Sequence, residues 1–462
     1  MSGKLISFFL LSGLTSALRA QITLNEIVTV NLDSTAVAAN PEYIGSNPAA
    51  IAWDGTDLYL AGFNNANAAG TVAICKVSGA ITSPTFGTAF GTLATPAFRG
   101  YSGLDIDRTN GVLAAAYDDG TANVNGLTAW NLSGASLWAF TMRGGSGVGI
   151  DPRFPVGSSP NGVAWTQFGS GRRALQDLSG ASIYTTSTGM VILTAQGSFW
   201  RDMGFDSANG DIWLREGNNV IHGVRSADNG VASLSVPFDP TDSDSVNQQN
   251  LAVCRTGSGA FVIFNDRATA SPNQSFFAVM RAMRTDGTPE ALDFGTFVPF
   301  GTGGGNYDFS FDAASSTLAI LDSFNRRAHI FAVSFKPYYR YGSGCAGSNS
   351  LVPDFGLSGS GAAGSTLSFD FSNSIPNTAA FVLIGINQID TPVFGSCSLL
   401  VDPVFPVTIG PAILDGAGAG STTIGLPLSS SGFALTFQGL MIDAALPPFG
   451  LGLTNGMKLI VP

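Results

Sequence analysis

His222 and His329 are the only two histidines in the chain. A Ser-His-Asp apparatus needs an imidazole beside a nucleophile and a carboxylate. These two instead sit in strand-like runs, Asn219-Val-Ile-His-Gly-Val and Arg327-Ala-His-Ile-Phe, and are expected to be outer-strand residues at equivalent places in two repeats. No serine occupies a Gly-x-Ser-x-Gly elbow that opens a helix. The cysteines, Cys75, Cys254, Cys345 and Cys397, form no Cys-x-x-Cys pair, so zinc has no clustered ligands. Oxygen ligands are plentiful. In Asp239-Pro-Thr-Asp-Ser-Asp244, the carboxylates of Asp239, Asp242 and Asp244 have a spacing that can wrap calcium, the one cofactor left open. That loop lacks the glycine and the terminal glutamate of an EF-hand, so a solvated acidic loop is the favoured reading. The glutamates Glu26, Glu42, Glu216 and Glu290 could serve a metal-centred lactonase, but nothing in their spacing gathers them. Trp53, Trp130, Trp138, Trp165, Trp200 and Trp213 are expected to fill space between repeats rather than to form a carbohydrate platform.

The elements that must position these residues announce themselves as a degenerate repeat, in which an apolar strand, a polar tight turn and a second apolar strand follow one another. It reads Ile51-Ala-Trp-Asp-Gly-Thr-Asp-Leu-Tyr-Leu60, Leu104-Asp-Ile-Asp-Arg-Thr-Asn-Gly-Val-Leu113, Met203-Gly-Phe-Asp-Ser-Ala-Asn-Gly-Asp-Ile-Trp213 and Phe309-Ser-Phe-Asp-Ala-Ala-Ser-Ser-Thr-Leu318, with a weaker copy at Leu251–Phe261. The turn positions Asp54, Asp107, Asp206, Arg255 and Asp312 are separated by 53, 99, 49 and 57 residues. The long interval is about two periods, so a decayed copy is expected inside it, with Gly162–Phe168 and Ala181–Thr186 as its material. Six repeats of roughly 50 residues match the size of four-stranded propeller blades. The turn aspartates are expected to accept hydrogen bonds from nearby backbone N–H groups. Ile22–Leu32 alternates as a strand and is placed to supply the outer strand of the last blade.

Composition agrees with an all-β chain. Charged residues make up only 11% of it, glycine numbers 58, and long Glu/Lys/Ala runs are missing. Residues 1–20 read as a signal peptide, with Lys4, the apolar Leu5–Leu14 and small residues at Ser16, Ala17 and Ala20. Cleavage after Ala20 would move the formal charge from −11 to about −13, which argues against nucleic acid and anionic lipid partners. No later segment is long and uncharged enough to span a bilayer. In an exported chain, Cys345 and Cys397, both C-terminal, are expected to pair as a disulfide. Cys75 and Cys254, in different repeats, are expected to be buried small apolar residues. After Lys336 the turn repeat stops. Alternating runs at 365–371, 379–385 and 432–438 then predict an antiparallel β-sandwich over residues 336–462.

The repeats of residues 21–335 resemble NHL-type six-bladed propellers, most clearly in Asp312, Leu318-Ala-Ile-Leu-Asp322 and Asn325–Phe331. The segment after 336 resembles a C-terminal domain of secreted planctomycete-type bacterial proteins. Tyr341-Gly-Ser-Gly-Cys-Ala-Gly347, Gly395-Ser-Cys397, Phe437-Gln438 and Leu453–Ile460 carry that resemblance. It implies export and a sorting or surface-attachment role. Together these readings predict a six-bladed β-propeller followed by a β-sandwich, in a non-catalytic binding or scaffolding protein that is secreted or at the cell surface. Its partner would be a protein or carbohydrate ligand. The alternative is a calcium-assisted hydrolase or lactonase acting in the propeller channel.

Overall fold

The computed structural model describes residues 22–33, 44–45, 47–63, 70–95, 100–118, 126–141, 147–151, 162–167, 172–177, 200–216, 219–225, 231–238, 250–266, 279–295, 307–402, 407–430 and 433–461. The fold is all-β: apart from a single 3-10 turn at Leu428–Ser430, the described elements are strands. The proposed signal segment 1–20 lies outside the described residues.

Up to residue 335 the strands pair antiparallel except where Ile22–Asn31 meets Leu292–Asp293 in parallel, and they follow one another as meanders that each open on a strand of the repeat, the first two being joined at Phe63 and Gly100. The opening strands are Asn47–Trp53, Gly100–Asp107, Val148–Asp151, Trp200–Phe205, Leu251–Thr256 and Tyr307–Asp312. Each packs beside the next, and Tyr307–Asp312 packs back against Asn47–Trp53, so the succession closes on itself. The sheets they open are buried on both faces, which is why their sequences are apolar on odd and even positions alike. In Asn47–Trp53, Ile51 and Trp53 pack with Ala319, Leu321 and Ile330 of the last sheet. Ala50 and Ala52 face the other way, toward Tyr101, Leu104 and Leu113.

The N-terminal strand completes the last sheet. Ile22–Asn31 runs antiparallel to Arg327–Phe335 along its length, with a bulge between Glu26 and Val28. It thereby joins the sheet that contains Tyr307–Asp312 and Thr317–Asp322. Its inward residues Ile22 and Leu24 enter the core shared with Cys254, Phe261 and Ile263.

The decayed copy differs from its expected position. Its opening strand is Val148–Asp151, and Gly162–Gln167 is its second strand, paired with Val148–Asp151 on one side and Arg172–Asp177 on the other. The reason is physical: the opening strand is only four residues long, and ten residues of sequence separate it from the strand it pairs with. Ala181–Thr186 lies outside the described residues.

No strand pairs across Lys336 among the described residues. Beyond it, a sheet ordered Tyr338–Tyr341, Leu451–Ile460, Ala434–Ile442, Ala379–Gly385 and Val407–Ile413 shares a core with a three-stranded sheet of Asp354–Ser358, Thr366–Ser372 and Gly420–Gly425. Phe355, Phe369, Phe371 and Phe437 pack ring against ring at its centre. A separate hairpin, Gln388–Phe394 with Cys397–Val401, completes this half.

Candidate functional site

The opening strands surround a cavity of about 360 Å³, which all six of them line. Its walls mix apolar side chains, Leu104, Ile150, Met203, Leu251 and Phe309 among them, with six aspartates: Asp105, Asp202 and Asp308 on the strands before the turn positions, and Asp54, Asp107 and Asp312 at the turns.

Asp105, Asp202 and Asp308 each tie their own strand to the next. Asp105 Oδ1 accepts from Ile106 N at 2.8 Å, and its Oδ2 from Ile150 N at 2.6 Å. Asp202 accepts from Met203 N at 2.9 Å and from Leu251 N at 2.8 Å. Asp308 accepts from Phe309 N at 3.0 Å and from Ile51 N at 2.8 Å. Every other junction around the cavity is therefore bridged by a carboxylate that uses both oxygens on backbone amides. Beside the last bridge, Ser310 Oγ accepts from Trp53 N at 2.9 Å. Burial and mutual repulsion outweigh these amide bonds. Burial raises the Asp105 carboxyl to about 6 and the Asp308 carboxyl to about 7. Asp202 is also pushed well up, by burial first and then by the charge of Asp308.

The turn aspartates form the next layer. Asp54 Oδ1 accepts from Thr56 N and Asp57 N, Asp107 Oδ1 from Asn110 N, Asp206 Oδ1 from Ala208 N and Asp312 Oδ2 from Ser315 N. These are the local bonds expected of aspartate in such turns. Adjacent turns are also linked. Arg255, which replaces the aspartate in its own copy, grips both carboxylate oxygens of Asp206 in the preceding turn. Arg108 donates to the Asp54 carbonyl at 2.9 Å.

The residues singled out for chemistry are not brought together. Asp239, Asp242 and Asp244 lie outside the described residues. Among the described residues, no group of three or more His, Cys, Asp or Glu could hold a metal ion. His222 lies on the third strand of its sheet, not the outermost, because Val231–Phe238 pairs beyond it. Its Nε2 is 3.0 Å from Asp211 Oδ2 and its ring stacks on Trp213. His329 is also on a third strand, covered by the N-terminal strand, with Nδ1 2.7 Å from Glu26 Oε1. Glu290 pairs with the buried Arg284. Glu42 and the side chain of Glu216 lie outside the described residues. Trp53 and Trp213 are buried between sheets, and Trp53 Nε1 donates to Thr317 Oγ1 at 2.7 Å. The Trp165 and Trp200 side chains lie outside the described residues. Cys75 and Cys254 are buried in different cores, and burial pushes the Cys75 thiol up to about 12.

In the C-terminal half the motif residues converge on one task, which is holding the 388–401 hairpin. Cys345 and Cys397 are joined as a disulfide, with Cα atoms 4.8 Å apart. Tyr341 OH donates to the Leu400 carbonyl at 2.8 Å. The buried Gln438 accepts from Leu400 N at 2.9 Å and donates to the carbonyls of Ser398 (3.0 Å) and Thr454 (2.9 Å). Asn455 joins the two sheets in the same way, its amide exchanging 2.9 Å bonds with Phe355 N and Phe355 O. A Cβ at Gly456 would sit 2.5 Å from the Tyr341 ring, so glycine is required there. Replacing Gln438 by Leu strands two carbonyls and one amide in the interior. We expect it to cost the C-terminal half about 2 kcal/mol in denaturant unfolding; a change within about 0.5 kcal/mol would mean the hairpin is held without it.

No protein-family profile and no curated protein matches the chain. Solved structures that it resembles include the PQQ-bound aldose sugar dehydrogenase of Streptomyces coelicolor, at 12% identity and a TM-score of 0.39 over 69% of this chain and 100% of that one. U3-55K is matched at 10% identity and a TM-score of 0.34, over 61% and 80%. A functionally unknown protein from Desulfotomaculum acetoxidans is matched at 12% and 0.32, over 53% and 70%. Among the described residues, no helix is long and apolar enough to cross a membrane.

Proposed function

We propose that residues 21–335 form a six-bladed β-propeller and residues 336–462 an antiparallel β-sandwich. On this reading the chain is an exported, non-catalytic binding or scaffolding protein of the cell surface or extracellular space. The closed succession of opening strands and the N-terminal strand added to the last sheet support the propeller. Two sheets around one core support the sandwich.

One observation carries the functional reading. Asp105, Asp202 and Asp308, which line the cavity, spend one oxygen on an amide of their own strand and the other on an amide of the adjoining strand. A metal-assisted hydrolase needs inward carboxylates converging on one cation, whereas these hold the ring together. The cavity mouth carries small side chains at Thr109, Ser207, Ala313 and Ala314, on turns anchored by the aspartates. Such a rim suits a protein or carbohydrate partner held by shape. The C-terminal half, by its resemblance to the planctomycete-type domain, handles attachment or sorting.

The test uses labelled full-length protein on intact envelopes and on a glycan array. Thr109→Arg and Ser207→Arg, both at exposed mouth positions, are expected to reduce binding at least about tenfold, a loss of about 1.4 kcal/mol, with unchanged melting. Binding equal to wild type in both variants would remove the cavity face from the function.

A further inference from the structure

Arg284 stands where the two halves meet. It ends the strand Val279–Arg284 and is buried, and its charge is answered by Glu290, on the short strand Pro289–Glu290 paired beside it. The rest of the guanidinium reaches the connection to the other half. Its Nη2 donates to the Lys336 carbonyl at 3.0 Å. Its carbon lies 4.8 Å from the centre of the Phe335 ring and 4.7 Å from that of Tyr339, both within cation–π range. Phe335 closes the strand Arg327–Phe335 and packs on Phe261 in the core of the N-terminal half. Tyr339 lies on the first strand of the C-terminal half, with Lys458 Nζ 5.7 Å from its ring centre. One planar group therefore touches the end of one half, the connection and the start of the other.

The connection has little freedom of its own. Lys336 and Pro337 alone separate Phe335 from Tyr338, which is buried in the C-terminal core. The proline ring fixes one backbone torsion. The Pro337 carbonyl accepts from Ile460 N at 3.0 Å, and a Cβ at Gly361 would come within 2.6 Å of Pro337 Cγ. Both carbonyls of the connection are thus held, one from each half. Domains joined by a flexible connection move relative to one another unless contacts between them prevent it. No described strand pairs across Lys336, so the holding falls to side chains. Arginine suits the task, because its fork bonds a carboxylate and a carbonyl at once while its faces stack on rings. A lysine ammonium is a point charge and cannot do both.

We infer that Arg284 is the positioning residue of a rigid joint, which holds the C-terminal half at one fixed angle to the ring and so fixes where the cavity mouth points. The joint extends the binding-and-attachment reading, but it is measured with no partner present, so either can fail alone.

Spin labels at Ser83→Cys and Ser421→Cys, exposed positions in the two halves, report on the joint in the full-length protein by double electron–electron resonance. Cys75 and Cys254 are buried, and Cys345 and Cys397 are bonded to each other. With Arg284 in place we expect a single narrow distance distribution. Arg284→Lys keeps a charge beside Glu290 but loses the fork and the stacking. It should broaden the distribution at least about twofold, with both unfolding transitions nearly unchanged. Tyr339→Leu removes one ring and leaves the ion pair, so it should broaden the distribution to a lesser degree. It also decides the matter should Arg284→Lys fail to fold. A broad distribution with Arg284 and Tyr339 both intact overturns the joint. So does a distribution that stays as narrow as the parent's in every variant that folds.

Discussion

Leu24→Asp is expected to destabilise the N-terminal half by more than about 4 kcal/mol, enough to abolish its cooperative transition. Leu24 is fully buried on the strand that completes the last sheet, opposite Val333 and within the core that also holds Phe261 and Ile263. An aspartate there would bury a charge with no partner, and the strand would have to leave the sheet to hydrate it. Departure would uncover Ala328, Ile330 and Phe331 and strip the ladder from Arg327–Phe335. The control is Ile27→Asp, three residues along the same strand. Ile27 sits at the bulge and is 42% exposed, so the same added charge should cost within about 0.5 kcal/mol. Thermal and urea unfolding read both variants. Equal effects at the two positions would mean that closure does not depend on this strand.

The second large effect belongs to the disulfide. Cys345 and Cys397 close a loop with a sequence separation of 52. Losing that constraint through Cys345→Ala/Cys397→Ala should cost about 4 kcal/mol by chain entropy. The effect should be confined to the C-terminal transition, because the bridge packs with Leu453 and Phe394 and no described strand pairs across Lys336. The hairpin at 388–401 pairs with no other described strand. Without the bridge it depends on Tyr341 and Gln438, and hydrogen exchange should rise first at Leu400 N. A loss of less than about 1 kcal/mol would show that side-chain bonds alone carry the hairpin.

Much of this architecture was legible in the sequence. Asp-turn hairpins such as Leu104–Leu113 and Phe309–Leu318 are local: a bounded apolar run, a turn aspartate that binds its own loop amides, and a second apolar run. The runs at 365–371 and 379–385 correspond closely to the strands Thr366–Ser372 and Ala379–Gly385. The decayed copy is hard to place from sequence because Val148–Asp151 is only four residues long and stands ten residues of sequence away from its partner strand. Of the bridging aspartates, Asp105 lies inside its repeat copy, and Asp202 and Asp308 stand one residue before theirs. Asp105 precedes its turn aspartate by two residues, and Asp202 and Asp308 precede theirs by four. Their shared role appears only when adjacent sheets come within hydrogen-bond reach. A carboxylate inside an otherwise two-faced apolar strand was the available signal. In the C-terminal half, the cysteine pairing followed from count and neighbourhood. The roles of Tyr341, Gln438 and Asn455 follow from contacts between distant segments, which periodicity does not reveal.

The central claim is that the carboxylates around the cavity hold strands together and do not wait for a metal. Metal analysis of the purified full-length protein, followed by a calcium titration read by melting temperature, tests it most directly. Calcium at 100 times a site's dissociation constant would stabilise by about 2.7 kcal/mol, a clear upward shift. The account predicts no bound ion and no shift of the N-terminal transition. A stoichiometric ion with a raised melting temperature that is lost in Asp202→Asn would contradict it, and would move the protein to the calcium-assisted hydrolase reading.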